Sequence, residues 1–345
     1  MRALAGITVL DLTRLLPGAS ATAYLAQNGA DVIKIEQPGD GDYARSLDPE
    51  VFASTNGGKR SVGLNLKDPR GRELLLRLAD RADVLIEGNR PGAMLRLGLG
   101  YDKIRERNRR LIYASLTGYG QDGPYAMLAG HDVNYLALGG VLSMNLPVIP
   151  GVQFADLAAG AMQAVSAILT ALFERERTGE GRYLDVSMLA GVKSFLTVPL
   201  GIYRRTGREP ESGNEVLSGR YACYSLYRAG DGRWLAVGAL EAKFWAELCR
   251  RLGCPDLIPR QFDSTAKESL AAIFAMRPAE EWFELLRDSD CCVTPVRTVG
   301  EIAGEIGPPA GPPAPALGEH TRSILRDCGI GDEEFSNLRA EGVIQ

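Results

Sequence analysis

The sequence predicts an α/β protein in which a large, Rossmann-like domain with a doubly wound parallel sheet is joined to a smaller α+β domain. Three observations carry this class. Short β-branched runs alternate with helical stretches up to about residue 185, the alternation lapses after Met188, and a different pattern of paired strands followed by helices begins at Gly219. A chain of 345 residues also exceeds the roughly 100 to 200 residues typical of one domain.

Taken in order, Ile7 to Leu12 reads as a strand, Ala19 to Asn28 as a helix and Asp31 to Glu36 as a second strand, which is βαβ spacing. Asp68-Pro69 opens the next helix, because proline suits a first helical turn. The strand Asp83 to Glu87, a helix over Asp102 to Arg109 and the strand Leu111 to Thr117 follow, and then a long apolar helix behind Asp156 and a strand from Arg182 to Met188. Strands that alternate with helices pair in parallel, and ligands of such sheets bind at the strand carboxyl ends. The loops after Leu12, Glu36, Glu87 and Thr117 are therefore the places where chemistry is expected. Residues 189–218 lack periodicity and read as a linker. Gly219 to Leu240 forms two alternating runs around Ala229-Gly-Asp-Gly, a hairpin turn, followed by helices from Glu241 to Leu252 and Ala279 to Arg287. Five prolines between Gly307 and Leu317 mark a return connection. The expected organisation is a large domain of 1–188 and 318–345, a linker of 189–218, a small domain of 219–303 and a Pro-rich return linker of 304–317.

Composition narrows the function. With 39 basic and 43 acidic side chains the formal net charge is −4, so no general attraction to nucleic acid is expected and any polyanion must meet a local patch. The six cysteines show neither CxxC pairing nor histidines at zinc spacing, which predicts reduced core thiols and no metal site. The most apolar stretch, Ala158 to Phe173, is interrupted by Gln163, Ser166 and Thr170 and is shorter than the roughly 20 residues that cross a bilayer, so no membrane insertion is expected. Asp11 and Arg14 break the first apolar run before it could act as a signal peptide, and the cytoplasm is the default location.

The segment Gly118-Tyr-Gly-Gln-Asp-Gly-Pro-Tyr followed by Ala129-Gly-His-Asp-Val-Asn-Tyr135 lies directly behind a strand end, where glycine lets backbone approach a ligand closely. His131 is one of two histidines, and a lone histidine is more often structural than catalytic. Asp156 stands before the long apolar helix, where its plainer role is an N-cap. Glu241 opens a helix of the small domain, as acidic residues commonly do.

Together with Ala3-Leu-Ala-Gly-Ile-Thr-Val-Leu-Asp-Leu, Asn56-Gly-Gly-Lys-Arg-Ser-Val, Ala82-Asp-Val-Leu-Ile-Glu-Gly-Asn-Arg-Pro-Gly, Ala236-Val-Gly-Ala-Leu-Glu and Gly318-Glu-His-Thr, these passages resemble the family III CoA-transferase superfamily, most closely its α-methylacyl-CoA racemase branch. The resemblance runs over nearly the whole chain. It implies an acyl-CoA substrate and epimerisation of 2-methylacyl-CoA thioesters, in which His131 and Asp156 exchange a proton on opposite faces of the α-carbon and Glu241 orients His131. It implies an interlocked homodimer whose site joins the large domain of one subunit to the small domain of the other. No cofactor is implied beyond the CoA moiety of the substrate. For that moiety Lys59, Arg60, Arg90 and Arg96 form an expected cationic dock, with Gly63, Leu64, Asn65 and Leu66 and the stretch Gly130 to Tyr135, including Asp132, supplying backbone contacts to adenine and pantetheine. Backbone N–H groups at the start of the Asp156 helix are expected to stabilise the enolate oxygen.

Departures from the family pattern are also legible. Relatives carry arginine after the acidic strand end, where this chain has Glu36-Gln37-Pro38, and Ser218 stands where relatives often have aspartate. The His131 to Asp156 connection and the Pro-rich return are short. A CoA-transferase that moves CoA between carboxylic acids through Asp156 is the alternative reading. A nicotinamide-dependent dehydrogenase lacks its GxGxxG, since Leu12 to Ala21 holds one glycine, and a non-enzymatic acyl-CoA carrier would not need the three acid/base residues.

Overall fold

The computed structural model describes residues 2–307 and 311–345. The chain divides into two compact units, one made of Met1–Thr197 and Pro309–Gln345 and the other of Val198–Pro308.

The first unit is built on a six-stranded sheet of β1 (Thr8–Leu12), β2 (Asp31–Glu36), β3 (Arg60–Gly63), β4 (Val84–Glu87), β5 (Ile112–Thr117) and β6 (Tyr183–Ser187), ordered β3-β2-β1-β4-β5-β6. All five neighbouring pairs are parallel. Strand order reverses at β1, so a crevice opens between the carboxyl ends of β1 and β4, the usual binding position of such a sheet. Val9 pairs with Val32 on one side and with Val84 on the other, so both edges of β1 are hydrogen-bonded within the sheet. Alternating side chains divide into two cores. Leu10, Ile33, Val62, Leu85 and Tyr113 face one, and Val9, Val32, Ile86, Ala114 and Leu116 face the other. The C-terminal tail closes the β3 edge, where Leu64 bridges Ile344 and Asn65 N–H donates to the Val343 carbonyl at 2.8 Å.

The second unit carries a three-stranded antiparallel sheet, β7 (Tyr224–Arg228), β8 (Trp234–Gly238) and β9 (Val293–Pro295), in the order β7-β8-β9. The hairpin turn falls at the expected Ala229 to Gly232, with Gly232 at φ +82°, a conformation open to glycine. Trp245, Leu248, Phe274 and Trp282 from the following helices fill its core.

Several local expectations change. The stretch 189–218 contains the helices Met188–Ser194 and Thr197–Thr206, whereas a structureless linker was expected. The helix Pro49–Asn56 and the short strands β3 and β9 were not anticipated, because four or three residues are too few to display a period. One helical run, Ala155–Thr178, is long and apolar enough to cross a membrane and exceeds the expected Ala158 to Phe173. Its Ala155, Ala159, Ala164, Ile168 and Leu172 are packed in the core against the sheet, which explains the apolarity. All six cysteines are free, but Cys292 is exposed and Cys328 half-buried, so only four are core thiols.

Candidate active site

Four loops at the strand carboxyl ends meet above β1, β4 and β5. The first, Thr13 to Pro17, is held in an unusual shape. Leu15 adopts φ +58°, disfavoured for a side chain with a Cβ, and its N–H donates to both carboxylate oxygens of Asp42 at 3.3 Å. Asp42 is buried and paired with Lys34 at 2.9 Å, and Lys34 Nζ also donates to the Thr13 carbonyl at 3.0 Å. Beside them Lys59 pairs with Asp11 at 3.2 Å and donates to Thr22 Oγ1, Asn56 Oδ1 and the Ala19 carbonyl. Burial pulls the Lys59 ammonium down to about 8, against the opposing pull of Asp11. Asp11, although burial alone would raise it, is drawn down to about 2 by Lys59, then Lys34 and its threonine partners.

This network overturns part of the expected CoA dock. Lys59 is buried with its donors committed inside the fold, to Asp11, Thr22, Asn56 and the Ala19 carbonyl, and presents no charge to a ligand. Arg60 is likewise occupied, its guanidinium engaging Asp31. Gly63 lies against Gln345, whose N–H it accepts at 3.2 Å. Leu64 and Leu66 do line a cleft of about 290 Å³, together with Leu12, Glu36, Gln37 and Lys67, while Asn65 bonds to the C-terminal tail. Arg90 is exposed and lines a second cleft of about 550 Å³. Arg96 is exposed and lines neither cleft. The residue that sequence reasoning missed is Arg14. It lines both clefts and a third of about 320 Å³, and its recorded side-chain bond is a long 3.4 Å contact to Asn89. Its only sequence signal was its place directly behind a strand end.

The third cleft brings together the two residues expected to act as acid and base, His131 and Asp156, with Arg14, Tyr43, Gly130 and Tyr135 also in its lining. His131 is the exposed N-cap residue of the helix Asp132–Leu138, and its N–H donates to Asn134 Oδ1 at 3.0 Å. Behind it, Tyr135 donates to the Gly130 carbonyl at 2.5 Å and stacks edge-on against Tyr119 at 5.0 Å. Gly118 must be glycine for this packing, since a Cβ there would come within 2.3 Å of the Tyr135 ring.

Asp156 lies in the first turn of Ala155–Met162, a stretch of wide π-helix that continues as the α-helix Gln163–Thr178. Such widened turns recur at functional sites. Asp156 does not cap its helix, and among the described residues no hydrogen bond reaches its carboxylate. The cap comes from Asp132, which is buried and whose Oδ1 accepts the N–H of Ala155 at 2.7 Å and of Asp156 at 3.0 Å. With Leu157 N–H bonded to the Gln153 carbonyl at 2.9 Å, the donors expected to hold an enolate at this helix start are already used. The Asp132 carboxylate therefore serves the fold of the site. Burial pushes the Asp156 carboxyl up to about 6, the nearby Asp132 charge pushes the same way, and His131 opposes. Burial and then the Asp156 charge push the Tyr135 phenol up to about 12.

Glu241 belongs to the second unit, where it is exposed at the N-cap of Ala242–Arg251 without making a side-chain cap bond. Ser218, in the same unit, accepts the Glu215 N–H at 3.1 Å within its own loop.

The model of CoA-transferase family III matches residues 4–305 of this chain. An alpha-methylacyl-CoA racemase of Homo sapiens is 36% identical over 99% of this chain and 98% of its own length. A succinyl-CoA:glutarate CoA-transferase of Mus musculus is 33% identical over 100% of this chain and 91% of its own. Among solved structures, a CAIB/BAIF family protein from Brucella suis superposes with a TM-score of 0.79 at 27% identity, covering 94% of this chain and 99% of that one.

Proposed function

The chain belongs to CoA-transferase family III, and from that membership we propose that it is an isomerase that epimerises 2-methylacyl-CoA thioesters by 1,1-proton transfer through an enolate. The observation that carries this reading is the joint presence of His131 and an unpartnered Asp156 in one cleft. At about 6, the Asp156 carboxyl is mostly ionised at pH 7 yet close enough to neutrality to be reprotonated, as a general acid/base should be. In one direction the Asp156 carboxylate takes the α-proton, and the electron pair of the broken C–H bond spreads onto the thioester oxygen. The His131 imidazolium then gives its proton to the opposite face of the α-carbon, and for the other epimer the roles exchange. The N–H of Asp132, at the start of the helix that His131 caps, meets no acceptor among the described residues and is a donor for the enolate oxygen.

Arg14 and Arg90 behind β1 and β4, with Lys67 beside Gln37, supply positive charge for the CoA phosphates on an acidic protein. Glu241 orients His131 from the second unit of a partner subunit, in a homodimer. The exposed Leu146, Val148, Ile149, Val152, Phe154 and Phe195 of the first unit are the kind of apolar surface that a dimer covers.

The unpartnered Asp156 carboxylate also suits a second reading, CoA transfer. There its oxygen attacks the acyl carbonyl and expels CoA thiolate, which then attacks the aspartyl carbonyl of the resulting anhydride, releasing the first carboxylate and leaving a CoA thioester on Asp156 that an acceptor carboxylate takes up by the reverse steps. Incubating one pure 2-methylacyl-CoA epimer in deuterated buffer without an acceptor acid separates the two. Epimerisation with deuterium at the α-carbon supports the isomerase, and label-free substrate that loses its CoA only when a carboxylic acid is added supports the transferase.

A further inference from the structure

One side chain connects the elements that carry His131 and Asp156. Asp132 follows His131 in the chain, is 9% exposed, and spends a single carboxylate oxygen on the N–H groups of Ala155 and Asp156, more than twenty residues away. We propose that Asp132 is a positioning residue for the acid/base pair: it fixes the backbone under Asp156 at a set distance from His131 and places a carboxylate beside the Asp156 carboxyl. This rests on reading His131 and Asp156 as that pair.

Capping alone does not call for a charge. Asparagine accepts helix-start N–H bonds about as well as aspartate, and a buried carboxylate carries a desolvation cost that an amide does not. What only the charge supplies is repulsion of a second negative charge, and it acts on Asp156 in the same direction as burial. The other ionisable groups lining the cleft around Asp156 are His131, which opposes, and Tyr135, Arg14, Tyr43 and Asp48. Two roles thus separate by substitution. Asp132→Asn keeps the acceptor and removes the charge, and Asp132→Ala removes both.

Deuterium exchange into a 2-methylacyl-CoA is measured against pH for wild type and both variants, beside a ¹³C-carboxyl titration in which Asp156→Asn assigns the Asp156 signal. In Asp132→Asn the acidic limb and the Asp156 titration are both expected to move down by roughly half a unit. Asp132→Ala is expected to lose on the order of 10²-fold in kcat with little change in KM, because the base is misplaced. Folded variants that both retain wild-type kcat and pH profile overturn the proposal. Equal losses of kcat with an unmoved Asp156 titration also overturn it, leaving Asp132 a purely structural cap. If wild type exchanges no deuterium but the titration still moves in Asp132→Asn, the charge effect stands and the isomerase reading fails.

Discussion

Replacing Asp156 by asparagine should make the protein inactive and more stable, and the size of the second effect follows from the structure. Folding moves this carboxyl from 3.8 to about 6. At about 1.36 kcal/mol per unit, a shift of roughly two units is at most about 3 kcal/mol of folding free energy held against the ionised side chain. Asp156 is partly open to solvent, and screening reduces this to about 1 to 2 kcal/mol. The sign is set by linkage. Because the folded-state value is raised, the folded protein binds this proton more tightly than the unfolded chain, so the contribution of Asp156 to stability falls as pH rises from about 4 through about 6 and is then constant. The asparagine has no such dependence and loses no hydrogen bond, since none reaches the carboxylate among the described residues. Urea unfolding at pH 7.5 and at pH 4 is the assay. Asp156→Asn should gain about 1 to 2 kcal/mol over wild type at the higher pH and almost nothing at the lower, while deuterium exchange falls at least about 10²-fold. A variant less stable than wild type at pH 7.5, or a gain that does not shrink in acid, would refute the strained, partly desolvated carboxylate from which the argument starts.

Lys59→Met should cost about 3 to 5 kcal/mol of stability by leaving Asp11 short of its nearest cation, and a variant that melts like wild type but binds CoA less well would restore Lys59 to the ligand dock. Arg14→Ala should weaken CoA binding in calorimetric titration more than Arg96→Ala does, and Gln37→Arg should strengthen it; equal affinities for CoA and desphospho-CoA in every variant would remove the phosphate dock. Co-expression of Asp156→Asn with Glu241→Ala should recover part of the activity, because some mixed dimers hold one site free of both substitutions, and purified mixed dimers without activity would reject a site shared between subunits.

The sequence by itself determined what depends on neighbours along the chain. The β-branched runs Thr8–Leu12, Asp31–Glu36 and Ile112–Thr117 identify strands, and their helical connections require a parallel sheet, so the loops behind Leu12, Glu36, Glu87 and Thr117 follow from the sequence as the places where a site is expected. His131 and Asp156 were singled out by the resemblance to family III CoA-transferases, since residue type alone favours a structural histidine and an N-cap aspartate. Only the tertiary structure decided what each charge is used for. Lys59 and Arg90 look alike in sequence, yet one is sealed between Asp11, Thr22 and Asn56 and the other faces a cleft. Asp132 and Asp156 could each have been the cap, and two hydrogen bonds spanning 23 and 24 residues give that role to Asp132. The physical reason is that burial and hydrogen-bond partnership are set by contacts between distant segments, which leave no period in the local sequence, whereas the backbone pattern that builds the sheet repeats every two residues and can be read directly.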